Sequence, residues 1–144
     1  MEEQKNLILI SEYSMSPGPR YCYQGDDSGE DFYHKVLNGK FKESFEKNEI
    51  LIVNLDGPDG YASSFLDEAF GNLVFDFGLN NVKGRIEIIS EEEPEWIEMI
   101  ETETYEQWEQ RRKENSAPKK TVVHDEWYRY INNSFEKKKW VQKS

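Results

Sequence analysis

ILIVNLDGPDGYASSFLDEAFGNLVFD, residues 50–76, passes from an apolar run through a glycine-punctuated turn into a helix-period segment. Ile50-Leu51-Ile52-Val53 with Leu55 lacks period-two alternation, which predicts a core strand covered on both faces, as central parallel strands of α/β sheets are. The strand must end at Leu55 or Asp56, because Pro58 lacks a ladder donor and Gly57 and Gly60 favour turns. Beyond Ala62, apolar residues recur at Leu66, Ala69, Phe70, Leu73, Val74 and Phe77, with Asp67, Glu68, Asn72 and Asp76 on the opposite face. That stripe predicts an amphipathic helix lying on the sheet. Ser64 with Asp67 three residues on predicts a capping box. Ser63 and Ser64 thus stand where a buried strand hands over to a helix, the first place to look for function.

Leu7 to Ile10 reads as a first strand, and Ser14 to Gly29, rich in Pro and Gly, as a long loop of the kind that often carries function. Ser28 with Asp31 marks a helix start, and Phe32, Val36, Leu37, Phe41 and Phe45 continue that helix to about Lys47, with Gly39 a weak point. Arg85 to Ile89 gives another strand, and Pro94 opens a helix through Trp96, Ile97, Ile100, Thr104 and Trp108. Past Asn115-Ser116-Ala117-Pro118, Thr121 to Val123 predicts a short strand, with Asp125 capping a helix that carries Trp127, Ile131 and Phe135 at four-residue spacing. Strand and helix therefore alternate, an α/β order with a mixed sheet of about four strands. Residues 1–118 form the main domain, and 119–144 an extension packed on it or offering its aromatics, Trp127, Tyr128, Tyr130, Phe135 and Trp140, to another protein.

A chain of 144 residues suits one domain. With 36% hydrophobic and 14% aromatic residues, Phe, Tyr and Trp must supply much of the core. A net charge of −11 repels phosphate backbones and anionic membranes, which argues against direct nucleic-acid or membrane binding. Cys22 is the single cysteine, expected to be a small packed thiol, so no intramolecular disulfide forms. With no signal-peptide pattern at its start, the chain is expected in the cytoplasm.

Three sets of polar residues invite chemistry. Arg20, in Pro17-Gly18-Pro19-Arg20-Tyr21, has the geometry to clamp a carboxylate or phosphate bidentately, and Gly18, Gly25 and Gly29 would let backbone approach such a ligand; the plainer reading is a structural ion pair. Asp56, Asp59, Asp67 and Glu68 offer hard oxygen ligands, but turn and cap duty explains them with less, and no metal or cofactor is expected. His34 and His124 look isolated, and Tyr61-Ala62-Ser63-Ser64-Phe65 departs from a nucleophile elbow, so no catalytic residue is assigned.

The segment resembles the strand-loop-helix of STAS domains, the fold of anti-sigma-factor antagonists. It is most similar to a STAS-like family of uncharacterised small bacterial proteins, through Asn54 to Gly57, Ser63 to Gly71, Pro17 to Tyr21, Gly25, Ser28-Gly29-Glu30 and Phe32. The resemblance covers roughly Leu7 to Glu109 and implies a STAS-like fold with Ser63 at the phosphoacceptor position. Here Ala62 and Phe65 replace the acidic residue and glycine usual around the two serines. A phosphate at Ser63 would gain from the helix dipole but meet Asp56, Asp59, Asp67 and Glu68. The function so implied is a non-enzymatic regulatory or protein-interaction module. Its partner, a histidine-kinase-like ATPase or anti-sigma-type regulator, would be bound around Gly18, Arg20, Ser63, Ser64, Asp67 and Glu68. The alternatives are a module for a nucleotide or other anion, an accessory protein of a phage-defence or mobile-element locus, and a homo-oligomer.

Overall fold

In a computed structural model, which describes residues 6–139, the apolar run is β2 (Leu51–Asn54), between β1 (Asn6–Leu9) and β3 (Ile86–Ile89). Both neighbours run parallel to it, in the order β1-β2-β3. Register pairs Ile8 with Val53 and Val53 with Ile88, so these three side chains share one face and all are buried. The other face differs from expectation. Leu7, Leu9, Ile52 and Ile89 lie on it by register, none is buried, and none joins the core. The described helices cover β2 on one side only, so its unbroken apolar run does not report two-sided burial.

Ile10 turns the chain out of β1 through α1 (Ile10–Tyr13). After the loop, α2 (Gly29–Phe32) passes through a π turn at Tyr33–Leu37 into α3 (Asn38–Glu46), one continuous helical path as predicted. The strand-to-helix unit delivers α4 (Ser63–Phe77), and α5 (Leu79–Val82) leads to β3. Gly78, at φ 86°, ends α4 in the left-handed conformation that suits a glycine after a helix. Then α6 (Glu95–Met99) continues through a π turn at Ile100–Thr104 into α7 (Tyr105–Lys113).

The central element is α4, and its polar stripe is not a solvent face. Glu68, Asn72 and Asp76 are each no more than 2% exposed. The reason is that α4 is surrounded: α2 crosses it at Gly29, where a Cβ would strike the carbonyl oxygen of Phe65, and α7 lies against it at Gly71, where a Cβ would fall inside the indole of Trp108. The polar atoms are satisfied inside. Tyr33 donates its hydroxyl to Asp76 at 2.6 Å and Arg129 donates to the same carboxylate at 2.8 Å, as buried charge requires. Aromatic rings fill the core as composition implies: Phe32 meets Phe65 at 5.8 Å between centroids, and Phe41 meets Phe77 at 4.9 Å.

The predicted C-terminal strand and helix are both absent. Thr121 to Val123 is irregular, because the Thr121 amide and hydroxyl are spent on the Glu30 carboxylate, at 2.8 and 2.6 Å, instead of on a ladder. In place of the helix stands a hairpin, β4 (Trp127–Ile131) and β5 (Ser134–Lys138), paired antiparallel and separate from the main sheet. Spacing of four residues suits a helix turn and is also an even number, so Trp127 and Ile131 fit both periods, whereas Phe135 lies beyond the turn and pairs with Tyr130 on the other face. Asn132 and Asn133 decide: at φ 50° and 64° they form the two-residue turn with both central residues at positive φ that matches strand twist. The sheet expectation is corrected accordingly, to three parallel strands plus a two-stranded ribbon. Trp127 is buried, and Tyr130 and Phe135 pack on Phe45 at 4.7 and 5.3 Å. Trp140 lies outside the described residues. Among the described residues no helix is long and apolar enough to cross a membrane.

Candidate functional site

The carboxyl ends of β1, β2 and β3 open onto one rim, the usual place for sites in open parallel sheets. There α4 begins at Ser63, with Ala62 in extended backbone as the residue before it and no side-chain cap. The capping box at Ser64 is therefore corrected. The helix starts two residues earlier than that box needs, and both serines sit inside the first turn, where a hydroxyl no longer faces the orphan N–H groups. Ser63 is exposed and Ser64 half-buried. The predicted cap at Ser28 does form, its hydroxyl accepting from the Asp31 amide at 3.0 Å.

The loop ahead of α4 is fixed by its own side chains. Asp56 accepts from the amides of Glu91 and Glu92 at 3.0 and 2.9 Å, joining the β2–α4 loop to the β3–α6 loop, and Tyr61 donates its hydroxyl to the Leu55 carbonyl at 2.6 Å. Asp59 donates its amide to the Met15 carbonyl at 2.8 Å. On this rim the two joined loops present exposed Asp59, Glu91, Glu92, Glu93 and Glu95. This is a field that attracts cations and basic surfaces and repels phosphate.

Arg20 reaches α4 one turn beyond Ser63. Its Nη1 donates to Asp67 at 2.8 Å and to Glu68 at 3.0 Å. Burial works against the charge on Arg20, but the two carboxylates outweigh it and raise its pKa above the ordinary value. Burial also raises Glu68 above the usual carboxylate range, with Arg20 and Asn72 pulling the other way. Asp67 is further held by Thr104 Oγ1 at 2.9 Å and Trp108 Nε1 at 3.2 Å, which tether the helix ending at α7. The plainer of the two sequence readings therefore describes Arg20, a structural ion pair. Gly18 and Gly29 make close approaches to this chain's own carbonyls, of Asp26 and Phe65, and do not line a ligand space. The Arg20 loop itself is bolted to α2, Gly29 and Glu30 donating their amides to the carbonyls of Pro19 and Arg20 at 2.9 and 3.0 Å.

A second cluster escaped sequence reasoning. His34 and His124 are not isolated: their rings stack at 4.0 Å between centroids, 17° from parallel. His124 Nε2 lies 2.6 Å from Glu30 Oε2, and Cys22 donates its amide to Glu30 Oε1 at 2.9 Å. Burial favours a neutral Glu30, but the hydrogen bonds from His124, Thr121 and Cys22 outweigh it and hold the carboxyl far below its ordinary range. Burial pushes the Cys22 thiol up to about 11, with nearby Glu30 and Asp31 adding to the effect. It drives His34 down to about 2, so that imidazole is neutral. His34 and His124 stand ninety positions apart in the sequence, and no local signal announces this meeting, which only the fold creates.

Residues 28–96 match the family model of a STAS-like domain of unknown function (DUF4325). No curated protein and no solved structure matches the chain. The match opens at the Ser28 cap and takes in β2, the loop before Ser63, α4 and β3, while the Arg20 loop and the hairpin lie outside it.

Proposed function

We propose that this chain, with a STAS-like domain over residues 28–96, is a non-enzymatic regulatory module that docks a protein partner on the rim around Ser63. The observation that carries this reading is the exposed Ser63 at the uncapped start of the buried central helix, on a rim where the joined β2–α4 and β3–α6 loops carry exposed Asp59, Glu91, Glu92, Glu93 and Glu95. Such a surface selects a partner with a basic docking face. By resemblance to anti-sigma-factor antagonists the partner class is a histidine-kinase-like ATPase or an anti-sigma-type regulator. Phosphate on Ser63 would add about −1.5 to −2 charges to a rim already acidic, and so would bias docking through repulsion between like charges or contacts with the partner's basic groups. A nucleotide or other anion has less support, since Arg20 Nη1 already serves two carboxylates.

The test is affinity capture from host lysate with wild type, Ser63→Ala and Ser63→Asp, read by mass spectrometry for partner and for phosphate. A partner kept by Ser63→Ala and released by Ser63→Asp supports the switchable rim. A partner unaffected by Ser63→Asp and by charge reversal at Glu91 and Glu92 removes it. A thermal shift with nucleotide alone would favour the ligand-binding reading.

A further inference from the structure

We propose that Cys22, Glu30 and His124 form a binding site for a zinc-class divalent cation, which clips the loop before α2 and the segment before β4 onto the start of α2. Sγ of Cys22, a carboxylate oxygen of Glu30 and a ring nitrogen of His124 all lie within 4.8 Å of one another. The donors come from three places in the chain and mix sulfur, nitrogen and oxygen, the set that zinc accepts and that hard cations such as Mg²⁺ and Ca²⁺ do not prefer. Tetrahedral zinc with such bonds, about 2.0–2.3 Å long, spaces its ligand atoms about 3.3–3.6 Å apart. His124 Nε2 and Glu30 Oε2, now 2.6 Å apart, must part a little, and Sγ must draw in; both are side-chain rotations.

The outer partners a metal site needs are in place. Glu30 Oε1 accepts from the Cys22 amide at 2.9 Å and from Thr121 Oγ1 at 2.6 Å, and Oε2 accepts from the Thr121 amide at 2.8 Å. These bonds orient the carboxylate and survive when His124 turns to an ion, as second-shell donors do. The Ser28 hydroxyl donates to Sγ at 3.3 Å, a bond that favours a thiolate. The cluster is enclosed, with Glu30 and His124 side chains 1% and 6% exposed. Beside it His34 stacks on His124 and keeps a buried Nδ1 with no hydrogen-bond partner. A hydrogen-bonded clip alone accounts for Glu30, but not for a thiol and two imidazoles brought to the same spot.

The full chain, stripped with chelator, is titrated with Zn²⁺ by calorimetry and with Co²⁺ by absorption, beside Cys22→Ser and His124→Gln. Circular dichroism in chelator first establishes that both variants fold. The expected result is one Zn²⁺ per chain and a Co²⁺ spectrum with sulfur-to-metal charge transfer that Cys22→Ser abolishes. Each variant should lose more than the roughly 10–100-fold in affinity that removal of an outer partner costs. Failure of the wild type to take up Zn²⁺ stoichiometrically, or a Co²⁺ spectrum unchanged in folded Cys22→Ser, overturns the site and leaves a hydrogen-bonded clip.

Discussion

Gly71→Ala and Gly39→Ala are the same substitution, each inside a helix, and should move stability in opposite directions. In an exposed helix interior the change gains about 0.8–1.0 kcal/mol from propensity. At Gly39, exposed in α3, a Cβ meets nothing within 4 Å, so that gain should appear nearly intact. At Gly71 the Cβ falls inside the Trp108 indole, which is 2% exposed and whose Nε1 donates to Asp67 at 3.2 Å. Relief comes partly from separation of α4 and α7, an overpacking cost of about 1–3 kcal/mol, and partly from a swing of the indole that gives up a bond to a carboxylate worth about 1.5–3 kcal/mol. Less the propensity gain of about 1 kcal/mol, with both costs partly incurred, the net loss is about 1–4 kcal/mol. For a chain near this size that is a fall in Tm of roughly 3–15 °C. Urea unfolding of both variants measures it as a change in midpoint at constant slope. Gly71→Ala as stable as wild type, with Gly39→Ala stabilised, would refute the close approach of α4 and α7.

Three further outcomes follow from the same geometry. Ser28→Ala removes a working cap from a buried hydroxyl and should cost about 1–2 kcal/mol, whereas Ser64→Ala, inside the first turn of α4, should change stability by no more than about 0.5 kcal/mol, both read from chemical denaturation. Arg20→Met leaves Glu68 buried without its cation and should destabilise by about 2–4 kcal/mol at neutral pH. Because the folded pKa of Glu68 is raised, the protonated form is favoured in the native state: its contribution is fully present below the ordinary carboxyl value of 4.5 and is lost as pH rises through the folded value. The Arg20→Met deficit should therefore be smaller in midpoints measured at pH 4 than at pH 7, and a deficit independent of pH would count against the assignment. Asn133→Val forces a β-branched residue to φ 64° and should cost about 1–2 kcal/mol, with the loss seen first in amide exchange of β4 and β5.

What the chain determined locally was the order of its main elements up to α7, though not the short helices α1 and α5. The unbroken run at Leu51 to Asn54, the breakers at Gly57 and Pro58, the stripe from Leu66 to Phe77 and the Ser28 cap each act within a few residues, so their signals are complete in the sequence. The hairpin was half legible: Asn132-Asn133 is a hairpin turn in itself, but the even spacing of Trp127 and Ile131 fits helix and strand alike, and Phe135 keeps step with them only if the chain stays helical. Tertiary structure alone decided the rest. It left one face of β2 uncovered, and it wrapped α4 so that Glu68 and Asp76 became interior groups bound to Arg20 and Arg129, with buried Asn72 donating to Glu68. It also carried Cys22, Glu30, His34 and His124 to one place. Periodicity states which side of an element is polar, but whether that side meets water or another element depends on contacts between residues tens of positions apart, and no local pattern encodes those.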